Sequence, residues 1–454
     1  MIISFSVENF RSFSEEQTFS LVASPRISGA HPNHAVAIPN SKESVLSASV
    51  LYGANGAGKS NLFKALRFLK NSVLSTRKKG SGTGREPFLF SDSPNPRSSF
   101  DLQFIARDKV YRFGITIDDA KVAEEWLVKV SNGRERVIYE RITADDGTVT
   151  IESPGLKDKR LHALATVGGL PNQTFLATVN ATLEEASFGS DLAAVLGWFK
   201  NSLRLIAPTE SYQALGHHFS EDVDFLEFAG EYLRASSTGI DSLEVEKKEI
   251  SWDELSRLLP KEKVTKLIDD LNEDERGMAL IRLGEGNEVV LERSSESHFY
   301  KITVNAIHKH SHDQRISLHL AQESDGTRRL LNLLPALRHV RTSDAVYFID
   351  EIDRSMHPIL VWKFLEFFLK SCEGAHRQII VTTHESNLLD LELLRRDEIW
   401  FAEKDGSGAT HLHSLADFKV RKDLEIRKHY LQGRFGGIPY LANLDRLVET
   451  EECA

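Results

Sequence analysis

An α/β fold, a mixed sheet with flanking helices and a helical insertion, is predicted by three features of the sequence. Ser49-Val50-Leu51-Tyr52 reads as a strand, Gly53-Ala54-Asn55-Gly56-Ala57-Gly58-Lys59-Ser60 as a glycine loop, and Leu62, Ala65, Leu66, Leu69 and Val73 as one face of a helix. Far downstream, Val346-Tyr347-Phe348-Ile349 is an apolar run ending in Asp350-Glu351, and Val381-Thr382-Thr383 is another ending in His384. Between these anchors, alternating and helical stretches follow one another without an internal repeat.

The glycine loop fits G-x-x-x-x-G-K-[ST], the phosphate-binding loop. Its glycines let successive backbone N–H groups turn toward a polyphosphate at a helix N-terminus. In that role Lys59 reaches the β- and γ-phosphates of ATP and Ser60 holds Mg²⁺. The alternative is a plain glycine turn between a strand and a helix, and the downstream partners argue against it. Asp350 would sit beside Mg²⁺, directly or through water. Glu351 would polarise the attacking water as general base, an effect worth about 10²–10⁴ in rate. Alone, such an acidic pair also describes an exposed strand end. His384 would sense the γ-phosphate; alone it reads as a strand-terminal histidine. Ser324 caps a helix carrying Leu330, Leu331, Leu333, Leu334 and Leu337 on its apolar face. Ser324-Asp325-Gly326 is also an anion-site pattern, and a capped core helix is its plainer reading.

Taken together, the phosphate loop, the Ser-Asp-Gly segment, Asp350-Glu351 and His384 resemble an ABC-type ATPase head of the RecF/SMC kind. The opening Asn9-Phe10-Arg11-Ser12-Phe13 is similar to the start of that group, where the first strands pack near the adenine. The resemblance implies nucleotide contacts from Arg11, Gly53, Asn55, Gly56, Gly58, Lys59, Ser60 and Asn61. It implies Mg²⁺ ligation by Ser60 and Asp350, and catalysis by Glu351 and His384. It also implies a signature segment at Ser324 and Gly326 that completes the site of a second chain, so two chains sandwich two ATPs head to tail. The signature is degenerate against the usual Leu-Ser-Gly-Gly-Gln. Asp353 and His357-Pro358 look like the loop facing that second chain. The tail, from Phe418-Lys419-Val420-Arg421-Lys422 through Gly433-Arg434-Phe435-Gly436-Gly437-Ile438-Pro439, resembles bacterial single-chain ATPases of the RloA/AbiLi type, which are associated with phage defence and abortive infection. Residues 1–75 and 315–440 carry the resemblance.

Composition narrows the class. Hydrophobic residues are 41% and charged residues 27%, an ordinary globular balance. The only cysteines, Cys372 and Cys453, indicate no disulfide framework. There is no signal-peptide pattern and no apolar run of membrane-spanning length, so a cytoplasmic protein without a membrane partner is expected. A net charge of −10 argues against coating nucleic acid with the whole surface and leaves room for a local basic patch.

The expected organisation has four parts. Residues 1–75 form the N-terminal part of the head. Residues 76–180 form a loop, then antiparallel strands that complete the nucleotide-binding sheet. Residues 181–315 form a mostly helical insertion with returning strands, a compact lid without heptads for a coiled-coil arm. Leu255, Leu258, Leu259, Val264, Leu267, Ile268 and Leu271 carry its helical spacing. Residues 316–454 hold the signature, the acidic pair, His384 and a basic tail. His308, His310 and His312 share one strand face, open to a zinc reading only with a fourth ligand and otherwise a solvated face. The tail is read either as a solvated helix face or as a surface for nucleic acid or an acidic partner.

The expected function is an ATP-hydrolysing sensor and switch in antiviral defence, acting on a separate effector protein by analogy with the family, for instance a nuclease. A RecF-like DNA repair or loading ATPase and an ATP-stabilised, non-turnover scaffold are the alternatives. Too little chain follows His384 for the appended nuclease domain of OLD-type ATPases.

Overall fold

The computed structural model describes residues 1–27, 29–90, 96–210, 215–258, 260, 262, 271, 278–282, 288–293, 299–309, 314–338, 344–371, 376–418 and 425–438. The chain divides into two compact units. The first comprises Met1–Pro208, Thr342–Ile352 and Leu369–Ala454; the second comprises Thr209–Arg341 and Asp353–Phe368.

Two large sheets build the first unit, beside a two-stranded ribbon of Ala35–Ala37 and Ser44–Leu46. One is antiparallel, in the order Val149–Glu152, Arg134–Thr143, Val122–Ser131, Lys109–Ile117, Ser98–Ala106, Ile2–Glu8, Gln17–Ser20. Its strands alternate inward apolar and outward polar residues, as in Ser98–Ala106, where Phe100, Leu102 and Phe104 are buried. The other sheet runs Leu203–Ile206, Ala345–Ile349, Arg377–Thr382, Ala48–Tyr52, Ile399–Lys404, Thr410–Ser414. Its first five strands are parallel and its last pairs antiparallel. Ala345–Ile349, Arg377–Thr382 and Ala48–Tyr52 are buried at every position, as strands covered on both faces must be. The fold is thus the expected α/β class with a mixed sheet. The strands of 98–152 form their own sheet with the chain's first two strands, and do not extend the sheet that carries the glycine loop.

The Lys59–Leu74 helix ties the two sheets together. Its Phe63 meets Phe348 of the parallel sheet edge-on at 5.4 Å, and its Phe68 stacks on Phe100 of the antiparallel sheet at 5.2 Å. Leu62, Ala65, Leu66, Leu69 and Val73, the face predicted from spacing, are all buried. Full burial of each leucine or valine contributes about 1.5–3 kcal/mol.

The second unit holds a five-stranded sheet in the order Ile240–Ile250, Phe299–Lys309, Glu288–Arg293, Met278–Arg282, with Arg315–His319 also paired to Phe299–Lys309. Residues 240–250 were expected within a helical run and form a strand instead. Their sequence alternates Ile240, Ser242 and Leu243-Glu244-Val245-Glu246 against a long partner, and cross-strand pairing overrides any local helical preference. The unit is therefore sheet and helix together, not a helical lid. Val223–Ala235 is capped by Asp222, whose carboxylate accepts from the Phe225 amide at 2.8 Å. Of the predicted helical spacing at 255–271, Leu255 and Leu271 are buried, Leu258 lies on a helix with its side chain undescribed, and Leu259, Val264, Leu267 and Ile268 lie outside the described residues.

Candidate nucleotide site

Parallel pairing brings three strand ends to one edge. Ile349 is level with Val381, Thr382 with Leu51, and Phe401 with Tyr52. The residues that follow are therefore neighbours: Asp350-Glu351, Thr383-His384 and Gly53. A ligand crevice outside the carboxyl ends of parallel strands is the general expectation for such a sheet.

The loop between Tyr52 and the helix needs its glycines for separate reasons. Gly56 (φ 80°) and Gly58 (φ 105°) lie in the left-handed region. A Cβ on Gly56 would meet nothing within 4 Å, so that side of the loop faces open space. A Cβ on Gly58 would collide with Thr410 Oγ1, so the other side is closed. Gly58 is also the N-cap of the helix, whose first amides have no partner within it.

Lys59 is 4% exposed, and its ammonium donates to Gly53 O at 2.7 Å and Ala54 O at 3.1 Å. It also lies 3.2 Å from His384 Nδ1. Since an ammonium can only donate, Nδ1 is the acceptor and the neutral ring's proton belongs on Nε2. The Ser60 hydroxyl donates to Asp350 Oδ1 at 3.1 Å, and Thr382 Oγ1 donates to the same oxygen at 2.6 Å. Thr382 Oγ1 in turn accepts from the Glu351 amide at 2.8 Å. Glu351 sits at φ 49°, a left-handed conformation that costs a non-glycine residue about 1–2 kcal/mol. Strain of this kind concentrates at functional sites. A serine hydroxyl beside a carboxylate is an oxygen donor set suited to Mg²⁺, and the open, amide-lined loop suits a polyphosphate.

Behind the loop, Asn61 Nδ2 donates to Ser12 Oγ at 2.7 Å, and Thr410 Oγ1 donates to Ala57 O at 2.9 Å and lies 2.7 Å from Ser12 Oγ. Thr382 and Thr410 were missed from sequence. Thr382 had a weak signal, a hydroxyl in the run that ends at His384. Thr410 had none, because it meets Ser12 from the far end of the chain. Arg11, at φ 54°, is tied to Glu86 by a 2.6 Å hydrogen bond. Asn55 is exposed on the loop.

Ser324 and Gly326 belong to the second unit. Ser324 Oγ accepts from the Thr327 amide at 3.2 Å and caps the Asp325–Arg338 helix. A Cβ on Gly326 would collide with the Ser355 carbonyl, so the backbones approach there as only glycine permits. His308 pairs with Glu323 at 2.7 Å, while His310 and His312 lie outside the described residues. Among the described residues no group of three or more His, Cys, Asp or Glu side chains is arranged to hold a metal, and no helix is long and apolar enough to cross a membrane.

Where it is described, the tail helix keeps Arg427 and Lys428 exposed, as a solvated face does, and buries Ile426 and Tyr430. Tyr430 is buried, its ring stacked on Phe401 at 5.6 Å, and Phe435 stacks on the same ring at 5.7 Å. Gly437 is buried and Gly436 half-buried in the turn that follows. Of the basic residues, Lys428 pairs with Glu425 at 3.7 Å and Arg434 lies 3.2 Å from His429 Nδ1; Lys419, Arg421 and Lys422 lie outside the described residues.

A family model described as "AAA domain, putative AbiEii toxin, Type IV TA system" matches residues 48–390, from the strand before the glycine loop to beyond His384. The chain belongs to this family. Among solved structures, the SMC head bound to the C-winged helix domain of ScpA matches with TM-score 0.41 at 14% identity, over 91% of this chain and 97% of that one. The SMC head domain from Thermotoga maritima matches with TM-score 0.36 at 12% identity, over 91% and 98%. Likeness at this level carries no argument about the site of this AAA family member. No curated protein matches the chain.

Proposed function

We propose that the chain binds Mg²⁺·ATP at the 53–60 loop and hydrolyses it, as the switch of a bacterial antiviral defence system that controls a separate effector. The observation that carries the reading is the convergence of Lys59, Ser60, Asp350, Glu351 and His384 on one edge of the parallel sheet, where Lys59 bonds His384, and Ser60, Asp350 and Glu351 are linked through Asp350 and Thr382. The family description, with its toxin and toxin–antitoxin terms, supports the defence context. The tail's likeness to RloA/AbiLi-type ATPases supports it further.

In this reading the loop amides and Lys59 grip the β- and γ-phosphates. Ser60 and Asp350 would hold Mg²⁺, which would supply positive charge against that of the phosphates. Thr382 fixes the Asp350 carboxylate and the Glu351 backbone together, so ligand and base keep one spacing. Glu351 takes the proton of the attacking water. His384, protonated on Nε2, donates toward the γ-phosphate. Ser324 and Gly326 present a capped helix start to the γ-phosphate held by a second chain.

The test is ATP turnover by the purified chain with and without Mg²⁺, beside Lys59→Ala and Glu351→Gln. Turnover is expected to require Mg²⁺ and to fail in both variants. Binding without turnover in the parent would leave the scaffold reading, and stimulation by DNA ends would leave the RecF-like one.

A further inference from the structure

The described end of the chain closes on the glycine loop, and nothing in the proposed chemistry uses it. A Cβ on Gly437 would stand 3.4 Å from Gly53 Cα and 3.5 Å from Ala402 O. A Cβ on Gly53 would stand 2.6 Å from the same Ala402 carbonyl. Three backbones thus meet, with no room for a Cβ at Gly53 and only van der Waals contact for one at Gly437. The turn is held there from both sides. Tyr430 OH donates to Gly437 O at 3.1 Å, and the Tyr430 ring lies 5.9 Å from that of Tyr52, the residue before Gly53. His413 Nε2 is 2.8 Å from Phe435 O. From Gly53 the path to the phosphate-binding ammonium is one hydrogen bond, Lys59 Nζ to Gly53 O at 2.7 Å.

We propose that Gly437 is a positioning residue of the nucleotide site, backing Gly53 so that the loop carbonyls hold Lys59 in place. The proposal rests on the ATP reading of the loop. It makes Gly437 part of the nucleotide-binding machinery, although more than 370 residues separate it from the loop in sequence.

The two glycines supply a matched experiment. Both have φ 69°, so a side chain strains the backbone alike at either. At Gly436 the new side chain meets the flexible end of Glu403; at Gly437 it meets Gly53. An alanine Cβ at 437 makes only ordinary contact, whereas valine adds methyl groups that press on Gly53. In the full chain, Gly437→Val should raise the Kd for Mg²⁺·ATP by about tenfold or more, since small misplacements of binding groups are costly. Gly436→Val should stay within about threefold of the parent. Hydrogen exchange without nucleotide should show faster exchange at residues 53–60 in Gly437→Val and not in Gly436→Val.

Equal losses in the two valine variants would assign the effect to turn integrity and overturn the proposal, as would no loss in either. If the parent binds no ATP, the ATP reading fails, and the exchange comparison still decides whether Gly437 positions the loop. If the valine variants do not fold, Tyr430→Phe keeps the ring and removes the hydroxyl anchor. It should accelerate exchange at 53–60 without lowering the thermal midpoint, and unchanged exchange would overturn the proposal.

Discussion

Thr382 joins the two carboxylate residues of the candidate site through one hydroxyl. Its Oγ1 reaches Asp350 Oδ1 at 2.6 Å and the Glu351 amide at 2.8 Å. Removing that oxygen in Thr382→Val leaves the ring of donors intact but unfixed. Partners behind metal ligands are typically worth about 10–100-fold in metal affinity or activity. Thr382→Val should therefore lower kcat at least tenfold at saturating Mg²⁺ while ATP binding is kept, and Thr382→Ser should restore most of it. Equal kcat in parent and Thr382→Val would show that the bridge is structural only. Lys59→Ala should differ in kind, weakening binding itself. Glu351→Gln should keep binding and slow turnover by about 10² or more.

At the scale of elements, the parallel strands were the most legible part of the molecule. Ser49–Tyr52, Val346–Ile349 and Val381–Thr383 are short apolar runs whose boundaries are set by the glycine loop, the acidic pair and a histidine, and buried strands read this way. The strand at Ile240–Ile250 was not legible. Its outer half, Glu246-Lys247-Lys248-Glu249, carries the charge pattern of an exposed helix, and only pairing with Phe299–Lys309 makes it a strand. Thr410 and Gly437 were illegible for a different reason. Each acts through a contact with a residue hundreds of positions away, and no local pattern encodes such a contact.

The segment Arg395-Arg396-Asp397-Glu398 that leads into Ile399–Lys404 carries a pH-sensitive group. Glu398 is fully buried, with its carboxylate 3.0 Å from His34 Nδ1 and accepting from the Arg395 amide at 2.7 Å. Burial, the largest influence, raises its pKa despite these partners. The folded chain then holds this proton more tightly than the unfolded chain does. Its contribution to stability is full below the ordinary carboxylate range and is lost as pH rises through the folded value. Glu398→Gln stays neutral throughout and removes that loss. As pH rises from the ordinary carboxylate range toward neutrality, the parent's thermal midpoint should fall relative to the variant's. A constant difference across that range would contradict the assignment.

For the whole molecule, the decisive question is whether one chain suffices. It carries one glycine loop and one Ser324-Asp325-Gly326 segment. If the segment of one chain completes the site of another, both must be intact for turnover, but not in the same chain. Lys59→Ala disables the loop, and Ser324→Arg puts a long side chain on the capped helix start while leaving the loop alone. Each should be inactive by itself. In a mixed dimer one site pairs the intact loop of the Ser324→Arg chain with the intact segment of the Lys59→Ala chain. Mixing equal amounts should therefore recover about a quarter of parental turnover, if half the dimers are mixed and each has one working site of two. Glu351→Gln with ATP should trap the dimer, because a helix start aimed at the γ-phosphate favours ATP over ADP in the closed state. Light scattering reads the trapped species, and the mixing assay reads the shared site. No recovery on mixing, with the Glu351→Gln chain monomeric in ATP, would rule out the composite site. In cells the same logic extends one step further. A chain whose only proposed chemistry is ATP turnover needs an effector to stop a phage. Expression with its neighbouring genes should protect and expression alone should not. Full protection by the chain alone would sink the effector reading while leaving the ATPase assignment standing.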